Sequence, residues 1–219
     1  MKHDGKPGCV VLAAGSARRF GGNKLTAAVA GVTLIRRALS AVPAERFSQV
    51  AVVTQYPEIR ELAKEFSFTP VWNDVPEAGV SRSIALGLAA LGNCPGALFL
   101  VADQPPLRRE SVDALVTLWL EKPDGIAALG HGGVRGNPCL FPAGLFPELR
   151  ALQGDRGGAA VIRRHEDLLT LLEVDPRELQ DADTPEALAA IRAEAAVGYC
   201  GWGKTAVLRR LTFCCKGCC

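Results

Sequence analysis

Residues 9–14, CVVLAA, form an unbroken apolar run that leads directly into GSARRFGGNK at residues 15–24. Six apolar residues without alternation fit a strand buried on both faces, as in a parallel sheet covered by helices on each side. Two more runs share this character, VAVVT at 50–54 and ALFLVA at 97–102. Helical patterns lie between and after them. Residues 31–42 carry the stripe Val32, Leu34, Ile35 and Leu39 and stop at Pro43, and 58–66 are amphipathic. Residues 81–91 have Ser81 placed as a cap, and 110–120 form the next helix. Residues 184–196 have Thr184 as cap, Pro185 at the first position and Glu186 in the first turn. Shorter strands are expected at 68–72, 126–129, 139–141 and 169–174, and short helices at 146–152 and 158–165. Pro70 argues that the 68–72 strand lies at a sheet edge. The alternation predicts an α/β fold of three layers, a doubly wound, mostly parallel, Rossmann-like sheet between two helical layers.

The loop after the first run interleaves Gly15, Gly21 and Gly22 with Arg18, Arg19 and Lys24. Glycines let the backbone approach a ligand closely, successive N–H groups form an anion nest, and the cations neutralise what it holds. At the carboxyl end of a first strand, this predicts a phosphate-rich ligand. A Gly-rich turn with solvated arginines is the simpler alternative. The loop is neither a Walker A motif nor GxGxxG.

With 219 residues, 48% apolar and 22% charged, the chain suits one globular domain, and a net charge of +2 gives no reason to expect a nucleic-acid or membrane surface. The opening MKHDGKPG has no apolar signal core, no run approaches the roughly 18 residues of a membrane span, and a cytoplasmic location is expected. Cys9, Cys94 and Cys139 are scattered and expected to be reduced and structural, while the other five of eight cysteines crowd into residues 200–219. That break divides the chain into a domain at 1–196 and a Cys-rich tail at 197–219, expected to be disordered or the stub of another domain. The tail contains GYCGWGKT at 198–205, which matches GxxxxGK[ST] by letter, but no apolar strand precedes it and only fourteen residues follow. CCKGCC at its end has adjacent pairs instead of spaced zinc ligands.

Asp103 follows the 97–102 run, and Pro105 and Pro106 keep the chain from continuing in the sheet. Its carboxylate is therefore expected at the same edge as the opening loop, where a divalent cation such as Mg²⁺ would bridge it to phosphates. A turn-starting Asp is the alternative. In QDADTPEAL, Asp181 and Asp183 point to one side of an extended segment, although Asp183 also sits where a helix cap would. Gly79, Ser81, Arg82 and Ser83 open a helix whose N–H groups and hydroxyls suit an anion or a base edge, with capping by Ser81 an equal account. Gly136-Asn137-Pro138 and the 154–158 segment GDRGG are turn signals that can also offer backbone contacts.

Taken in order, LAAGSARRFGGNK, GVSRSIALGL, LVADQP, RGNPCLF, LQGDRGGAAVI and DADTPEAL resemble the molybdenum cofactor nucleotidyltransferase family, over residues 8–192. They are most similar to its cytidylyltransferase branch, which joins CTP to molybdopterin. The resemblance implies a Rossmann-like nucleotidyltransferase fold and a nucleotide held by Leu12, Ala13, Ala14, Gly15, Arg19, Lys24, Gly79, Ser81 and Ser83. It implies Arg19, Lys24 and Asp103 as catalytic residues, and Asp103, Asp181 and Asp183 as the Mg²⁺ site. The implied partners are CTP, molybdopterin and a molybdenum hydroxylase client. LAAG stands where the guanylyl branch has LAGG, so the Ala14 methyl would narrow the pocket for a pyrimidine. Ala17 departs from the family's usual Ser, a change worth one hydrogen bond, about 0.5–1.5 kcal/mol. His3, His131 and His165 lie outside the matched motifs, and no covalent nucleophile is expected. Transfer to another phosphorylated acceptor, or a carrier of the finished cofactor, are the rival readings.

Overall fold

The structure, a computed structural model, describes residues 5–15, 23–197 and 209–212. In chain order the elements begin with β1 (Gly8–Ala13), the hairpin β2 (Ala28–Val29) and β3 (Val32–Thr33), α1 (Leu34–Ser40), β4 (Val50–Thr54) and α2 (Pro57–Glu65). There follow β5 (Thr69–Trp72), α3 (Val80–Leu91), β6 (Gly96–Val101), α4 (Arg109–Glu121), β7 (Ile126–His131) and β8 (Val134–Pro142). The chain continues through α5 (Phe146–Arg150), α6 (Ala159–Ile162), β9 (Leu169–Glu173), α7 (Pro185–Val197) and β10 (Arg209–Thr212).

One mixed sheet carries the order β10-β9-β7-β8-β6-β1-β4-β5. β1 is central and parallel to both neighbours, with Cys9 opposite Val50 on one side and Leu98 on the other. β4–β5 and β7–β9 are also parallel, whereas β8 runs antiparallel to β6 and β7. β5, with Pro70 opposite Val52, lies at an edge, where a residue without a backbone N–H costs least.

The central strands β1, β4 and β6 bury both faces. Val11, Val52, Leu98 and Leu100 pack against Leu39 of α1, Ile59 of α2 and Leu115 and Trp119 of α4. Val10, Phe99 and Phe141 pack against Ile84 and Leu88 of α3 and Leu149 of α5. Burying each such aliphatic side chain contributes about 1.5–3 kcal/mol, which is why three uninterrupted apolar runs select a three-layer α/β core. Cys9, Cys94 and Cys139 are free and buried, and burial pushes all three thiols above their usual range.

Three local expectations change. The helix expected over 31–42 starts only at Leu34, because Ala30 and Gly31, both at positive φ, turn the β2–β3 hairpin first. Thr33 then caps α1 by accepting the Arg36 N–H at 3.4 Å. β8 is longer than 139–141: Val134 and Arg135 also pair with β7, and the Gly136-Asn137-Pro138 segment lies within the strand at a register shift instead of in a turn. In the tail, Arg209–Thr212 pairs antiparallel with β9 as an edge strand. The GYCGWGKT and CCKGCC motifs lie outside the described residues.

A small turn precedes the DADTP segment. The Asp175 side chain accepts the Arg177 N–H at 3.0 Å and a second hydrogen bond from Arg177 Nε at 2.9 Å. The Arg177 hydrogen bonds hold the Asp175 carboxyl down at about 2. A carboxyl depressed in the folded state stabilises above its unfolded value and loses that contribution as pH falls through the folded value. Asp175→Ala is therefore expected to cost about 1 kcal/mol near neutral pH, the exposed Arg177 adding little to the cap. The cost should shrink as pH falls from about 4 to about 2, which urea unfolding of both proteins across that range would reveal.

Candidate active site

Lys24 and Asp103 meet at the carboxyl edge of the sheet. Asp103 lies two residues beyond β6, and Lys24 opens a single 3-10 turn, Lys24–Thr26. That turn is capped by Asn23, which accepts the Leu25 N–H at 3.1 Å, and is pinned by the buried Leu25. Lys24 Nζ donates to Asp103 Oδ2 at 2.7 Å and to Asp183 Oδ1 at 2.8 Å. The Asp103 side chain is 22% exposed and that of Asp183 63%, so Asp103 is the more shielded and hence the stronger partner.

The DADTP segment reaches this place through its backbone. The fully buried Ala182 donates its N–H to the Asp103 carbonyl at 2.8 Å, between the two acids. Thr184, not Asp183, caps α7 by accepting the Ala187 N–H at 3.1 Å, which leaves Asp183 to pair with Lys24. Burial alone would lower the Lys24 pKa, but hydrogen bonds and charges from Asp103 and Asp183 outweigh it and raise the value. Loss of solvent, then the charges of Asp103 and Asp183, push Asp181 up to about 6, partly offset by a hydrogen bond with Gln104. Three acids around one ammonium leave an excess of negative charge on hard oxygen donors, the environment a divalent cation such as Mg²⁺ prefers. Among the described residues no group of three or more His, Cys, Asp or Glu is close enough to hold a metal alone. The donor set therefore fits a cation completed by phosphate oxygens and water, the usual habit of Mg²⁺, and not an all-protein cage.

Beside these residues lies a cleft of about 490 Å³, the size of a nucleotide-class pocket. Of the residues singled out from the sequence, Leu12, Ala14, Gly15, Lys24, Gly79, Ser83 and Asp103 line it. Ala13, Ser81, Asp181 and Asp183 are not among its walls, and of these Asp183 instead pairs with Lys24 beside the cleft. Ala13 belongs to the core under α1 and α4, as strand alternation requires beside Leu12. Ser81 is buried inside α3, where its N–H donates to the Gly154 carbonyl at 3.1 Å; Gly79 holds the cap position instead. Arg19 and Ala17 lie outside the described residues. Ser83 accepts a hydrogen bond from the buried Asn73 at 3.1 Å, and Asn73 in turn accepts the Val75 N–H, which ties the loop before α3 to the helix. At the other wall, Gln55 donates to the Ala14 carbonyl at 2.7 Å and Tyr56 to the Gly15 carbonyl at 3.0 Å, steadying the start of the glycine-rich loop. Sequence reasoning missed Gln55, Tyr56 and Asn73, to which only their positions just after a strand hinted, and read the 154–158 segment for backbone contacts, whereas Asp155 from that segment lines the cleft.

A parallel-sheet edge that gathers the start of a glycine-rich loop, a half-buried lysine and a rim of aspartates suits a phosphate-rich ligand such as a nucleoside triphosphate. The family model described as the MobA-like NTP transferase domain matches residues 9–168, and the chain belongs to that family of nucleotidyltransferases. Purine catabolism protein PucB of Bacillus subtilis (strain 168) is 30% identical over 196 residues, covering 84% of this chain and 94% of that protein. A probable molybdenum cofactor guanylyltransferase of Nostoc sp. is also 30% identical, over 193 residues, 84% of this chain and 90% of that one. Among solved structures, a nucleotidyl transferase from Methanothermobacter thermautotroptrophicus superposes with a TM-score of 0.73 at 23% identity, covering 88% of this chain and 98% of that one. A Mycobacterium tuberculosis H37Rv protein solved in complex with manganese gives 0.69 at 20% identity, over 86% and 98% of the two chains. These structures share the Rossmann-like, mostly parallel fold.

Proposed function

We propose that this nucleotidyltransferase joins CTP to molybdopterin, giving molybdopterin cytosine dinucleotide and pyrophosphate. The observation that carries the proposal is Lys24 bridging Asp103 and Asp183 at the rim of the nucleotide-sized cleft. In the reaction, an oxygen of the acceptor's phosphate forms a bond to the α-phosphorus of CTP. The bond from that phosphorus to the α–β bridging oxygen breaks, and pyrophosphate leaves with the electron pair. Two anions must approach, so the barrier is electrostatic and positional. Lys24 offsets charge growing on the α- and β-phosphates, Arg19 would clamp the leaving group, and the backbone from Leu12 to Gly15 lies beside the nucleotide. Asp103, with Asp181 or Asp183, would hold Mg²⁺, which when bound supplies charge neutralisation between the phosphates.

The name of the Nostoc relative supports a molybdopterin acceptor but is a guanylyl name. The choice of CTP rests on Ala14, whose methyl stands on the cleft wall where the guanylyl branch has glycine. A molybdenum hydroxylase is the expected client, a role in keeping with the purine-catabolism name of the Bacillus relative, and a cytoplasmic location goes with it. No helix among the described residues is long and apolar enough to cross a membrane. Incubating the protein with magnesium, molybdopterin and CTP, GTP or ATP in turn, and measuring pyrophosphate, tests the proposal. CTP should be preferred over GTP by about tenfold or more. A preference for GTP overturns the base assignment, and no pyrophosphate with any nucleotide overturns the reaction.

A further inference from the structure

A second pocket, of about 180 Å³, adjoins the cleft and shares Leu12, Val80 and Val101 with it. Its far wall is β8. Arg135, Asn137, Cys139 and Phe141 of that strand all line the pocket. Because β8 runs antiparallel to β6, with Phe99 opposite Cys139, its amino-terminal half stands at the rim that carries Asp103. Phe99 and Phe141 meet edge-on with centroids 5.9 Å apart and make an apolar floor. A Cβ on Gly158 would lie 2.8 Å from the Phe141 ring, so glycine at that position leaves the floor uncovered.

Arg135 is the one cation on these walls. Its Nη1 contacts the Gly136 carbonyl at 3.3 Å and Cys139 Sγ at 3.4 Å, and among the described residues no carboxylate pairs with it. A guanidinium facing an apolar pocket without a carboxylate is a docking point for an anion, and its planar fork suits phosphate. Size limits what accompanies that anion. A cavity of about 150 Å³ holds one benzene ring, so this pocket takes a single ring-sized group and not a fused polycycle.

We propose that this pocket is the acceptor site: Arg135 binds the acceptor's phosphate beside the cleft, and the Phe99–Phe141 floor takes one ring-sized group attached to that phosphate. The inference rests on the nucleotidyl-transfer reading and deepens it by giving the acceptor's class, a phosphomonoester with a compact ring near the phosphate. Of molybdopterin, the ring next to its phosphate would enter, and the rest would lie outside.

Phenyl phosphate is the probe, titrated calorimetrically into the full chain with and without saturating CTP. Benzoate and inorganic phosphate serve as comparison ligands. Phenyl phosphate is expected to bind the wild type whether or not CTP is present, and more tightly than either comparison ligand. Arg135→Ala should weaken it by about tenfold or more, with Arg135→Lys in between. CTP affinity should be unchanged in both variants, which also reports that they are folded. Absence of phenyl phosphate binding to the wild type, equal binding by Arg135→Ala, displacement by CTP, or benzoate binding as tightly would each overturn the assignment. Failure of CTP itself to bind the wild type would instead sink the reading of the larger cleft, so the two failures are distinguishable.

Discussion

Asp103→Ala is expected to lower turnover by about a thousandfold or more, with nucleotide affinity falling no more than about tenfold. Asp103 is the less exposed of the two acids that hold Lys24, and its carbonyl anchors Ala182 through the backbone, which alanine leaves intact. The substitution thus removes a carboxylate without moving the segment that carries Asp181 and Asp183. Lys24 would keep only the exposed Asp183 as a described partner from this pair. Single-turnover measurement of pyrophosphate release, with nucleotide affinity from calorimetry, separates the two effects. Near-full turnover in the variant would remove Asp103 from the mechanism.

Gly79→Ala should be among the most damaging single changes to stability. Gly79 sits at φ 87° as the cap of α3, and a Cβ there would lie 2.3 Å from the Gly154 carbonyl carbon and 2.4 Å from its oxygen. The obstacle is backbone, so no side chain can rotate away. Gly79 lies at φ 87° and ψ −178°, a region essentially reserved for glycine that costs an alanine about 1–3 kcal/mol, and forced displacement of a packed backbone adds about 1–3. For a chain of this size each kcal/mol lowers the melting temperature by roughly 2–4 °C, so a fall of about 5–15 °C is expected. Gly157→Ala is the control, in the facing loop that carries Gly154. Its Cβ would find only Val80 at 3.7 Å, an ordinary contact, and thermal denaturation should show a much smaller change. Equal melting temperatures for Gly79→Ala and wild type would refute the close-approach argument.

What the sequence discloses follows from how local each signal is. β1, β4 and β6 were legible because strands buried on both faces need continuous apolar residues, and these runs are too short for a buried helix and rich in Val, Leu and Phe. The β2–β3 hairpin was not, because four strand residues around Ala30-Gly31 are too few to show a period, and the apolar stripe of α1 extends back over them. β8 was cut short because Gly136 and Pro138 are turn residues by habit, yet here they carry the strand through a register shift between its two paired stretches. The same contrast applies at the site. Lys24 and Asp103 announce themselves as a cation in a glycine loop and a carboxylate ending an apolar run, and the structure puts them 2.7 Å apart. Gln55 and Tyr56 act on the loop from 41 positions away, and no local pattern encodes such a contact. Ser81 looked like a cap because serine favours that role, but the cap falls on Gly79, where the neighbouring Gly154 backbone leaves no space for a Cβ.

α7 lies beyond the 9–168 span of the family match, yet it braces the reactive rim. Its Leu188, Ile191 and Ala195 pack with Ala182 against Val29 and Leu34, and Arg192 donates to the Ala28 carbonyl at 2.8 Å. One helix therefore clamps the turn that follows the lysine and the strip that bears the last two acids, joining parts of the polypeptide separated by more than 150 positions. A fragment ending ahead of α7 would retain every parallel strand and still forfeit the arrangement on which charge balance at the rim relies.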